Sequence, residues 1–515
     1  MEISKSHFNK KRITKNTLFL YSRMLIIMVV QFYTIRVTLK VLGDVDYGIA
    51  NLIAGLANIF TFITHTMTSA SQRFIAYGIG KGDREQLKKT TISILSFFLS
   101  IGVMLLLLLE AIGLYAIPNI LNIPENKIYA SIIIYQFTLI NLFLSLGTMT
   151  YNSLIIAHED MSIYAYTSLL EVILKLIIIF LLTTIPIDKL IMYVFLYMCV
   201  QFMVSGIYIY YCLRNYEEAP KSIAFDKETI KEVVPYMSWN LLGGLSWMLC
   251  TQGLTILINI FFGPVANTAK AIADRVQSAV TGFSSSFMMA SEPQIIKTYA
   301  NNEIESMHKI IFFSTNYSFY LLLLFSLPVI FNTNEILTLW LGKTDITTER
   351  MLQILLFFSM SSAFEHPINQ AIRATGNIKK YQIQTAFLTL CVIPLSFVFF
   401  ELGFSSYYGH FALCIIYGIT LFLRIYFLKK QIGISYQEYF YKALLRPISC
   451  FSLLVIICHI IKSSIKLAPL QSVGLSTFLI MLSSIIIITY FGINSSDKKA
   501  IFSHIKNHFK GRSIN

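Results

Sequence analysis

Apolar windows of about 20 residues, enough for a helix to cross ~30 Å of hydrocarbon, recur along the whole chain. Fourteen can be marked: near 16–39, 46–72, 90–117, 128–157, 162–184, 190–213, 233–262, 265–290, 309–331, 351–373, 381–400, 407–428, 444–461 and 470–492. Lipid offers no partner to backbone N–H and C=O groups, so each window must satisfy its own, as a helix does. The chain is 55% apolar and only 13% charged, where a soluble domain is about a quarter charged. The expectation is an all-α polytopic membrane protein with about 14 transmembrane helices. The first window follows a basic segment without a small-residue cleavage site and is too long for a signal peptide, so it reads as a retained helix. The seven cysteines lie in or beside apolar runs without C-x-x-C spacing, which favours packing over disulfides or zinc. No cofactor or metal is expected.

The net charge of +14 is placed for topology rather than for nucleic acid. Of 41 Lys and Arg, 29 fall in 1–17, 73–89, 213–231, 297–309, 373–380, 424–446 and 498–512. The alternate connections hold far fewer, which is the positive-inside pattern for fourteen spans with both termini cytosolic.

The sequence also echoes itself. A shift of 220 residues lays SASQRFIAYGIGKGDREQLKK over MASEPQIIKTYANNEIESMHK, with Gly43/Gly263, Ala70/Ala290, Ser71/Ser291, Ile75/Ile295, Glu85/Glu305 and Lys89/Lys309 identical. A shift of 217 pairs NSLIIAHEDMSIY with NQAIRATGNIKKY through Asn152/Asn369, Ile155/Ile372, Ala157/Ala374 and Tyr164/Tyr381. Six helices separate the copies, an even number, so both keep one orientation, as parallel repeats about an axis along the membrane normal do. This predicts two parallel six-helix lobes plus two extra C-terminal helices. Along the chain, 1–15 is a cytosolic N-terminal segment, 16–213 the N-lobe, 214–231 a cytosolic linker and 232–430 the C-lobe. Spans 13 and 14 occupy 431–492, and 493–515 is a basic cytosolic tail. Gly78, Gly80 and Gly82 resemble a phosphate loop, but no strand precedes them and the second copy reads Thr-Tyr-Ala-Asn-Asn there. The run is read as a helix exit with a glycine turn.

The stretch RVTLKVLGDVDYGIANLIAG followed by TSASQRFIAYGIGKGD resembles the bacterial polysaccharide repeat-unit flippases used in O-antigen and capsule assembly. Their superfamily also holds multidrug/toxin extruders and lipid II flippases. The resemblance covers residues 15–492, with the Leu-Gly-x-x-x-[Tyr/Phe]-Gly element at Leu42–Gly48. It implies two lobes around a cavity that opens alternately to each side of a bacterial inner membrane. It also implies a lipid-linked oligosaccharide as substrate, and membrane lipids, a polysaccharide polymerase and glycosyltransferases as partners.

Ionisable groups at membrane depth are costly and mark function by default. At ~1.5 Å rise per residue, Arg23 lies about 10 Å into the first span, and Asp274 with Arg275 about 15 Å into the eighth. Glu365 and His366 sit at similar depth in the tenth, and Arg36 lies near the outer end of the first. Glu171 and Lys175, one turn apart on span 5, suit an intramembrane ion pair. Arg23 and Arg275, each roughly two turns or more from a helix end, are harder to explain as snorkelling, so they are read as cations for a diphosphate that must cross hydrocarbon. Lipid II flippases likewise carry arginines on spans 1 and 8, a match in location only. Arg36 and Asp274 complete the charged candidates, with Asp274 expected to pair with Arg275 when no substrate is bound. Gln31, Asn58, Asn240 and Gln252 are candidates for sugar hydroxyls, or equally for helix contacts.

Two other readings remain. A multidrug/cation antiporter of the same fold needs an intramembrane acid on span 1 or 7, and none is present there. An enzyme such as a membrane polymerase needs a sizeable outer loop, and the longest, 332–350, is too short.

Overall fold

The computed structural model describes residues 61–119, 123–182, 188–341, 345–464 and 469–493. Before 61 it describes 16, 19–27, 30, 33, 34, 37, 38, 41, 42, 46, 49, 50 and 53. The described residues are helical almost throughout and include no strand. Ten of their helices are long and apolar enough to cross a membrane, so the chain is a multi-pass membrane protein.

The other four expected spans each differ for a visible reason. The first two are described only in part, the second as the helix Thr61–Lys81 with scattered residues before it. The eighth, 264–300, is helical but runs on from the seventh through a kink at Gly263 (φ 74°, ψ −173°). The tenth is broken at 363–365, between helices Ile346–Ser362 and His366–Thr375.

The echo is present in the backbone. Gly82 and Asn302, 220 residues apart, both take left-handed conformations (φ 74° and 59°), and the helices that follow start at the equivalent residues Arg84 and Ile304. Glu159 and Gly376, 217 apart, likewise have φ 64° and 78°. A glycine is thus replaceable at such a turn where Asn tolerates the left-handed region. A glutamate there costs about 1–2 kcal/mol, so something must hold Glu159 in place. The Gly-rich run is a helix exit: Thr61–Lys81 ends, Gly82 turns, and the Asp83 side chain caps the next helix by accepting from Gln86 N (3.0 Å).

Two compact units divide the chain. The first is Met1–Leu245, Met289–Met307 and Arg373–Ile383, and the second is Ser246–Met288, His308–Ile372 and Gln384–Asn515. Within the first, small residues let helices approach closely. A Cβ on Gly113 would lie 2.1 Å from the ring of Tyr135. Tyr135 is fully buried and its hydroxyl donates to the Leu109 carbonyl (2.6 Å). The ring cannot withdraw, so Gly113→Ala should destabilise by about 1–3 kcal/mol, read as a lower melting temperature in detergent.

The linker is anchored rather than loose. Tyr151 donates to the Pro220 carbonyl (3.0 Å), Thr91 to the Glu218 carbonyl (2.6 Å), and Glu218 pairs with His158 (2.5 Å). Burial pushes the Glu218 carboxyl up, but the His158 hydrogen bond and its own backbone N–H outweigh this and leave it below the usual carboxylate range. A depressed carboxylate stabilises above its unfolded pKa, about 4.3 for Glu, and that contribution fades as pH falls through the folded value. Glu218→Gln should therefore lower the melting temperature at pH 7 and flatten its decline below about pH 4.3.

In the second unit the two extra spans pack on the helix Ile304–Phe331 and the residue after it. Tyr320 donates to the Gly492 carbonyl (3.0 Å). Asn332 accepts from Lys462 (3.0 Å) and Ser476 (2.8 Å).

Candidate functional site: a polar cavity in the first unit

A cavity of about 440 Å³ lies within the first unit, lined by Arg23, Ile27, Thr34, Thr38, Ser168, Glu171, Val172, Lys175, Tyr193 and Tyr197. Its walls follow helical spacing. Ser168, Glu171, Val172 and Lys175 fall at i, i+3, i+4 and i+7 of Met161–Leu181, one face of that helix. Arg23 and Ile27, Thr34 and Thr38, and Tyr193 and Tyr197 are each i, i+4 pairs. The size is that of a small-ligand site.

Arg23 is half-buried and held from two sides: Nε donates to Ser168 Oγ, and the guanidinium lies over the Tyr164 ring at 4.6 Å. One NH2 contact reaches Tyr164 OH at 3.5 Å. No partner for NH1 occurs among the described residues, so part of the fork is available to a ligand. Lys175 donates to Glu171 (2.6 Å) and sits 5.3 Å from the Tyr197 ring, which packs on Tyr193 at 4.5 Å. With two cations and one carboxylate, the cavity carries a net positive charge. It can hold an oxyanion against Arg23 while aromatic faces and hydroxyls receive polar, ring-shaped groups.

The remaining candidates are placed differently. Asn240 is buried, donating to the Thr66 carbonyl (2.9 Å) and accepting from Gln382 (3.4 Å), a helix-to-helix role. Gln252 and Arg275 are exposed. Asp274 accepts from Lys270 (2.7 Å) rather than from Arg275. The reason is angular: residues four apart share a helix face, while neighbours point about 100° apart. Gln31, Arg36 and Asn58 lie outside the described residues.

Several polar residues escaped the sequence reading. Tyr193, Tyr197, Thr34 and Thr38 carry an i, i+4 signal that charge counting ignores. Arg424, counted there with a basic loop, is 9% exposed, with Nε 3.1 Å from Glu365 Oε2. That contact is ionic, its angle falling short of a directed hydrogen bond. Glu365, at the break in the tenth span, also accepts from Thr420 (3.0 Å).

The fold is that of MOP-superfamily membrane transporters. A MATE transporter crystallised with MaL6 superposes with a TM-score of 0.69 at 14% identity, covering 82% of this chain and 96% of its own. An outward-facing multidrug resistance MATE transporter of that superfamily gives the same figures. A MOP superfamily transporter from Pyrococcus furiosus, whose reversed binding-pocket polarity suggested a different function, gives a TM-score of 0.68 at 14% identity. The chain belongs to the polysaccharide biosynthesis protein family, whose model matches residues 13–299, while the MatE model matches 241–398. No curated protein sequence matches it.

Proposed function

We propose that this protein flips an undecaprenyl-diphosphate-linked oligosaccharide from the inner to the outer leaflet of a bacterial inner membrane, for surface polysaccharide assembly. The observation that carries the reading is the Arg23 cavity, a net-positive chamber on membrane helices in a member of a polysaccharide biosynthesis family. A diphosphate cannot cross hydrocarbon unaccompanied, and a guanidinium fork can chelate it. Tyr193, Tyr197 and the threonines are suited to sugar rings and hydroxyls. Lobes 16–213 and 232–430, joined by 214–231, would alternate access, while the polyprenyl tail stays in lipid. The polymerase and glycosyltransferases of the same assembly are the natural partners.

Purified protein in proteoliposomes should make a lipid-linked oligosaccharide loaded on one leaflet accessible to a membrane-impermeant glycosidase on the other. Absence of flipping would overturn the reading. A second reading, multidrug/cation antiport, is favoured by the MatE match over 241–398. It would require the same proteoliposomes to accumulate a cationic dye against an ion gradient.

The basic-loop bias supports a topology with both termini and the linker on the cytosolic side. With Ser222→Cys and Ser405→Cys, both at exposed positions, an impermeant thiol reagent added to intact cells should label the second and miss the first. Labelling of Ser222→Cys would invert the topology.

A further inference from the structure

Inside the first unit, two contacts related by the sequence echo join helices of the two halves at the face of the basic loops. In one, Arg73 on Thr61–Lys81 reaches the turn that closes His366–Thr375. Its NH2 donates to the Ala374 carbonyl (3.3 Å) and its NH1 lies 3.6 Å from Glu232. Phe74, Tyr77 and Tyr236 surround the guanidinium at 4.6, 5.0 and 5.2 Å. A Cβ on Gly376 would come within 2.5 Å of Arg73 NH2. Arg373 donates back to Ser69 Oγ (2.5 Å).

The other contact is its mate. Lys297 and Gln294, on 264–300, reach the turn that closes Ile128–Ala157. They donate to Glu159 Oε1 (2.8 Å) and Oε2 (3.1 Å). Glu159 is 5% exposed and occupies the position that Gly376 holds in the other half. In both contacts the second helix of one half grips the turn after the fourth helix of the other. Between them, Gly80 and Ala300 are each other's mates at a shift of 220, and a Cβ on Gly80 would lie 2.8 Å from that of Ala300. Contact between equivalent residues marks the pseudo-twofold axis.

We propose that these two clasps form the closed gate on the basic-loop face, and that the Glu159–Lys297 clasp is the half that yields first. The two differ in chemistry. Opening the Arg73 clasp strips a planar cation from three aromatic rings and exposes those rings. Opening the Glu159 clasp separates a carboxylate from a flexible ammonium, and water rehydrates both charges as they part, which offsets the lost attraction. The left-handed Glu159 is also released to relax. The exposed Arg84–Glu217 pair (2.7 Å) on the same face joins the first half to the linker and not to the second half.

Ala300 is 4% exposed, so Ala300→Cys should react slowly with a water-soluble maleimide in permeabilised membranes, at a rate set by gate opening. Adding Glu159→Gln or Lys297→Met should raise that rate at least about tenfold, since the clasp then loses one partner of a buried pair. The swap Glu159→Lys with Lys297→Glu should restore slow labelling, and Glu217→Gln should leave it unchanged. A Gly80→Cys/Ala300→Cys disulfide should lock the gate and stop transport until reduced. Equal labelling with and without Glu159→Gln, or full transport by the disulfide-locked protein, would overturn the gate. If Glu159→Gln does not accumulate, Lys297→Met and the swap decide the same question. Labelling needs no transported substrate, so it tests the gate even if the oligosaccharide reading fails.

Discussion

On the proposed function, Arg23→Ala should lower transport of the lipid-linked oligosaccharide by about 10- to 100-fold at normal protein levels, while Arg23→Lys should lower it less. The estimate follows from the site. A hydrogen bond to a charged group is worth about 1.5–3 kcal/mol, and each 1.4 kcal/mol is tenfold. Lysine keeps the charge, but it cannot span two phosphate oxygens and cannot both reach Ser168 and stack on Tyr164 as the guanidinium does. Surface polymer in cells, normalised to membrane protein by immunoblot, is the readout. Arg275→Ala is the informative companion, since Arg275 is exposed and its place in the path depends on a conformation in which it meets the passenger. Wild-type polymer from Arg23→Ala would remove the diphosphate from this cavity, and with it the main support for an anionic substrate.

Glu365→Leu alone should destabilise the second unit by roughly 3 kcal/mol or more, because it strands a buried guanidinium. Glu365 and Arg424 are 3% and 9% exposed, and Thr420 donates to the same carboxylate. Replacing both partners, Glu365→Met with Arg424→Met, should recover most of the lost stability, since apolar side chains fill the space without an orphaned charge. Melting temperatures in detergent and membrane accumulation give the comparison. A double variant as unstable as the single one would show that the pair is held for more than mutual neutralisation, and transport by the double variant then separates a structural role from a functional one.

Much of this architecture can be read in the residues, and the reasons are local. A helix in lipid closes its own hydrogen bonds, so twenty apolar residues are sufficient to declare one. Glu171 and Lys175 announce their pairing because four residues bring side chains onto one face. The echo marks its own turns, since a residue at Gly82 or Gly376 must enter a left-handed conformation, and Asn302 and Glu159 stand where their mates do. Membrane depth alone singles out Arg23.

What local spacing could not supply is partnership. Arg424 looked like one more loop cation because nothing near it in the chain shows that Glu365, 59 residues earlier, awaits it. Arg73, Arg373, Glu159 and Lys297 appear in sequence as charges at helix ends, while the structure draws them into contacts between chain segments 135 to 304 residues apart. Asp274 was assigned to its neighbour Arg275, and helical geometry gave it to Lys270 instead. The sequence by itself determined the helices and their repeat, because those depend on hydropathy and on the 3.6-residue period. The tertiary structure alone decided which charges meet, since a desolvated ion keeps its charge only where packing delivers a counter-ion or a ring of donors within about 3 Å.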